Sequence, residues 1–132
     1  MMRVLRSIGA VVVGYLVFAF GAYAFFRLSG QAPHQPASTA IMLTSIAVGM
    51  AFAVGGGYLA AWLAGHHAFA HGIAVAAVLA LGAAVSLFAT LGKGAVWTQL
   101  AALLLMAPGA AVGGWLRARK PAVTAAAAVN HR

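Results

Sequence analysis

Four uninterrupted apolar stretches, each about as long as a bilayer is thick, constrain this chain more than any other feature. They cover residues 7–26, 39–63, 72–91 and 96–116, and every Lys or Arg lies at or beyond their ends. A membrane-crossing helix needs about 20 mainly apolar residues. Continuous apolarity excludes the alternating pattern of a lipid-facing barrel strand, and helices and closed barrels alone satisfy the backbone in hydrocarbon. The spacing therefore predicts an all-α membrane protein, a four-transmembrane-helix bundle over residues 1–120, with residues 121–132 as a flexible tail. Composition agrees: 64% of residues are apolar and 6% charged, too few charges to solvate a soluble surface.

The chain has eight Lys and Arg and no Asp or Glu. Acidic general acids and bases, hard-cation sites and carboxylate proton relays are thereby excluded. Cysteine is also absent, removing disulfides, thiol catalysis and Cys metal sites. The expectation is a non-enzymatic protein without a cofactor, with no nucleic-acid partner and no identifiable soluble substrate. Its partners would be the lipid bilayer and either itself or another membrane protein.

Charge placement predicts orientation. With the N-terminus inside, Arg3, Arg6, Arg117, Arg119, Lys120 and Arg132 lie inside, and Arg27 and Lys93 outside. Cationic loops favour the cytoplasm, so both termini are expected there, in a bacterial inner membrane, with the inner Lys/Arg near lipid headgroups. Trp62, Trp97 and Trp115 fall at interfacial depths as aromatic anchors. The segment ending Ala22-Tyr-Ala24 imitates a secretory signal with its cleavage site, although the apolar run continues past it. Gly56-Gly-Tyr-Leu-Ala-Ala61 matches Gly113-Gly-Trp-Leu-Arg-Ala118, as in a parallel two-plus-two repeat. Helices rich in Ala, Gly and Leu also match by chance.

Small residues recur at fourth positions: Gly49, Ala53, Gly57, Ala61 and Gly65 in the second run, Gly72, Ala76 and Ala80 in the third, and Gly109 and Gly113 in the fourth. Such rows let helix backbones meet closely, within one chain or between subunits. Pro108 cannot donate to the Leu104 carbonyl, so a kink or another partner is expected there. His67 and His71 are the candidate metal ligands, spaced to share a helical face if the third helix starts early. The bland reading is interfacial imidazole adding to the inner positive charge. Gln99 is expected near the outer interface, within reach of water.

Leu5-Arg-Ser-Ile-Gly-Ala10, Gly56-Gly-Tyr-Leu59, His67-Ala68, Ser86-Leu87, Trp97, Pro108 and Gly113-Gly-Trp-Leu-Arg117 occur in an order that resembles a family of small bacterial four-helix integral membrane proteins with no established activity. The resemblance implies a fold and no catalytic residue. Small multidrug exporters of similar length rely on a first-helix glutamate that this chain lacks. The leading functional expectation is action through helix–helix contacts, as a homo-oligomer or an accessory subunit of a membrane complex. A passive channel or transporter at an oligomer interface, and a haem- or copper-binding protein, are the alternatives.

Overall fold

The computed structural model describes residues 1–120; the expected tail at 121–132 lies outside the described residues. Four helices are long and apolar enough to cross a membrane: α1 Met2–Ser29, α2 Thr39–Ala64, α3 Ala68–Thr90 and α4 Trp97–Ala118. No strand occurs among the described residues. The shortest, α4, has 22 residues, which at 1.5 Å per residue spans about 33 Å, enough for a hydrocarbon core of about 30 Å.

The apolar runs mark the helices, but their ends fall elsewhere. α1 begins at Met2 rather than 7 and continues to Ser29; α3 begins at Ala68 rather than 72. Hydrogen bonding continues into the interface, where Arg3, Arg6 and Arg27 reach water from helical positions. Local chemistry sets the stops. Ser38 caps α2, its hydroxyl accepting from the Ile41 N–H at 3.3 Å. Gly65 closes α2 at φ 73° and Gly30 follows α1 at φ 68°, left-handed conformations that glycine adopts without a Cβ penalty.

α1, α2, α4 and α3 follow one another around the bundle, and α2 also meets α3 across the centre. The α1–α2 and α3–α4 connections share one end, here the two-loop end. The N-terminus, the α2–α3 connection and Lys120 share the other, the terminal end. Arg3, Arg6, Arg117, Arg119 and Lys120 therefore gather at the terminal end, opposite Arg27 and Lys93.

Small residues fill the interior. Ala53, Ala60 and Ala110 are fully buried, and Val75 is the only larger side chain buried as deeply among the described residues. Leu16, Phe20, Leu81 and Phe88 point outward. This suits hydrocarbon, where burying a large apolar side chain gains little and close backbone approach gains dispersion and Cα–H···O contact. Gly57 faces the Ala110 carbonyl and Gly113 the Val54 carbonyl. Gly14 faces Gly56, and Gly72 faces Gly114, at separations with no room for a Cβ.

Candidate functional site

The polar residues of the two-loop end are assembled from segments far apart in sequence. The α1–α2 connection, 30–38, is stitched to the start of α4. The Ala95 N–H donates to the His34 carbonyl at 2.9 Å. The Thr98 hydroxyl donates to the Pro33 carbonyl at 2.9 Å, and the Trp97 indole N–H to the Gln35 carbonyl at 3.1 Å. Gly94 passes beneath the His34 carbonyl, where a Cβ would lie 2.7 Å from the oxygen. The Gln31 side-chain amide bonds three carbonyls of its own loop. The connection is thus fastened to the start of α4 through three backbone carbonyls, those of Pro33, His34 and Gln35.

Below it lies Gln99, 4% exposed. Its Nε2 is 2.8 Å from His34 Nδ1, 3.0 Å from Thr90 Oγ1 and 3.5 Å from Ser86 Oγ. The Thr90 hydroxyl proton is committed to the Ser86 carbonyl at 2.8 Å, so Thr90 Oγ1 accepts from Gln99. That fixes the amide orientation, makes His34 Nδ1 an acceptor and places the neutral imidazole's proton on Nε2. Gln99 Oε1 lies 2.9 Å from Thr98 Oγ1 and shares that hydroxyl's single proton with the Pro33 carbonyl. The expectation that water solvates Gln99 is therefore corrected: protein groups from α3, α4 and the loop satisfy it.

This cluster forms one end of a half-open pocket of about 220 Å³ in the two-loop half of the bundle. Phe18, Phe25 and Phe26 of α1 line it with Trp97, Leu79 and Met106, and Tyr15, His34, Ser45, Ser86, Thr98 and Gln99 bring polar atoms to it. Phe26 meets Trp97 edge-to-face at 6.4 Å between ring centres. No Lys or Arg lines the cavity. α4 widens here: residues Ala102–Met106 form a π-helical turn in which the Ala107 N–H reaches back to the Ala102 carbonyl. Ala102 and Met106 both line the cavity. The turn directly precedes Pro108, whose ring would collide with the Leu104 carbonyl in a regular helix. Pro108 itself is exposed on the outer side of α4.

The other predicted residues sit elsewhere. Gly49 faces Met106, Gly109 faces Met50, and Gly57, Gly72 and Gly113 face neighbouring backbones. Ala53 and Ala61 are buried, and Ala76 and Ala80 partly so. These rows are occupied by the chain's own helices and are not free to meet a second subunit. Trp62 and Trp115 are exposed at the terminal end, while Trp97 belongs to the cavity wall. Arg119 lies over the Trp115 ring at 4.5 Å and Lys120 over the Tyr58 ring at 5.4 Å. Arg6 donates through Nε to the Leu63 carbonyl at 2.6 Å, a cation against the C-terminus of α2.

His67 is the residue before α3, at φ 43°, rather than a member of its face. Its carbonyl accepts from His71 Nδ1 at 3.0 Å, and His66 packs 5.2 Å from the His71 ring. No group of three or more side chains able to share a metal ion occurs among the described residues. Comparison of the chain with family models, curated proteins and solved structures finds no match.

Proposed function

We propose that this is a non-enzymatic, multi-pass protein of the bacterial inner membrane, with both termini in the cytoplasm, that holds a small uncharged molecule beneath its His34 cover. The orientation rests on the five cations of the terminal end against two at the other. One observation carries the binding role: a 220 Å³ cavity ends on a buried, hydrogen-bonded glutamine. An apolar cavity of about 150 Å³ already takes up benzene. Convergent polar groups on an apolar wall are the usual form of a ligand site.

Bromobenzene tests the reading, since its heavy atom quenches indole. With Trp62 and Trp115 replaced by Phe, Trp97 is the sole reporter. Quenching of Trp97 that saturates with bromobenzene is expected; a strictly linear dependence, the mark of partition into detergent, would remove the cavity as a binding site.

A second reading, helix–helix contact as a homo-oligomer or accessory subunit, is favoured by a different row from those the sequence singles out. Ala47, Ala51 and Gly55 lie exposed on α2, and a Cβ on Gly55 would meet nothing within 4 Å. Gly55→Leu should then reduce the particle mass in mild detergent; an unchanged mass counts against this interface.

A further inference from the structure

We infer that the cavity selects an uncharged ring-bearing molecule with an acceptor oxygen, of the quinone or phenol class, bound through the His34 Nε2–H and the Ser86 hydroxyl. The inference rests on the cavity being a binding site, as proposed above, and adds what the site recognises.

The polar bookkeeping of the cluster decides the chemistry. Gln99 gives its two N–H groups to His34 at 2.8 Å and Thr90 at 3.0 Å, with Ser86 Oγ a longer 3.5 Å contact, and its oxygen shares the Thr98 hydroxyl with the Pro33 carbonyl. Because Nδ1 of His34 accepts, its remaining ring proton is on Nε2, which makes no hydrogen bond among the described residues. The Ser86 hydroxyl makes only that 3.5 Å contact with Gln99, and its proton has no acceptor among the described residues. Two donors are left among the residues of the polar end, His34 and Ser86, and the Tyr15 phenol also lines the pocket. A carbonyl or phenolic oxygen has two lone pairs and can take both.

Charge narrows the class further. With no carboxylate in the chain, a cation would lie in the cavity without a counter-charge. An anion would lack a Lys or Arg at the wall. The body of the ligand meets Phe18, Phe25, Phe26 and Trp97, flat groups that favour edge and offset contact with another ring. A volume of 220 Å³ exceeds the roughly 150 Å³ that suffices for benzene, which admits a one- or two-ring compound. A plain hydrocarbon of that size would leave both donors unpaired, and sites built to hydrogen-bond an oxygen discriminate against analogues lacking it.

Equilibrium dialysis of the detergent-solubilised protein against 1,4-naphthoquinone and naphthalene, corrected for empty micelles, separates the outcomes. The quinone should bind about tenfold more tightly, as expected for two hydrogen bonds of ordinary net strength. His34→Phe, which keeps a ring and removes both nitrogens, should bring the affinity ratio towards one, and Ser86→Ala should lower it in part. Equal affinity of the wild-type protein for both compounds overturns the selectivity and leaves the cavity as an apolar site. A preference unchanged in both variants overturns the assignment of the two donors. Binding of neither compound above the micelle background removes the binding role as well.

Discussion

Gly57 and Gly55 are two residues apart on one helix and face different surroundings. A Cβ on Gly57 would enter the space of the Ala110 carbonyl, a backbone atom with little freedom to retreat, whereas Gly55 opens outward. Gly57→Leu should therefore lower unfolding stability in detergent by about 2 kcal/mol or more, at or above the usual range for overpacking. Gly55→Leu should leave it within about 0.5 kcal/mol, the ordinary span for exposed sites. Thermal unfolding of the two variants side by side checks this; equal losses would mean that α2 does not meet α4 through Gly57. The rows of small residues were legible in the sequence, because a period of four is local. Which glycine meets which carbonyl was not, since a sequence rich in Gly and Ala offers several equivalent rows. Gln99 shows the limit most clearly. Its depth could be read from its distance to the end of the apolar run. Its partner His34 is 65 residues away in a loop whose path no local pattern specifies. The usable signal was the general rule that an amide near hydrocarbon needs partners, with Ser86 and Thr90 one helical turn apart on the preceding span.

Within α4, two registers have to be met at once. Gln99 is fixed from one end by His34 and Thr90, and Gly113 and Gly114 are fixed from the other by α2 and α3. The π turn at Ala102–Met106 takes up one extra residue between them. Deleting Leu104, an exposed member of that turn, should convert it to regular helix while both ends keep their partners, provided Pro108→Ala removes the ring that the regular helix cannot hold. That double variant should melt within a few degrees of the parent. Deleting Val112, exposed but beyond the turn, should rotate Gly113 out of its contact by about 100° and abolish cooperative unfolding. Equal tolerance of both deletions would show that the turn does not reconcile the registers. Pro108 pointed to an irregularity in the sequence; its form depended on the packing at both ends of the helix.

Across the whole molecule, the spans were legible because each apolar run exceeds what any soluble element needs, and the ends drifted because charged residues at the interface remain helical. Orientation can be read directly, since the chain contains no cysteine. Gln31→Cys and His67→Cys alter no Lys or Arg. In intact cells a membrane-impermeant maleimide should label the first alone and reach the second after permeabilisation; the reverse pattern would invert the assigned topology. The stitching of the His34 loop to α4 also orders biogenesis. When the ribosome has released α1, α2 and α3, residues 30–38 are complete but the groups that fasten them, on Trp97, Thr98 and Gln99, are not yet in the membrane. The pocket gains its wall from α4 and its fastened cover only when the final span arrives, so a nascent chain arrested before α4 would hold that loop untied. Insertion of the last helix is then the step that completes the pocket.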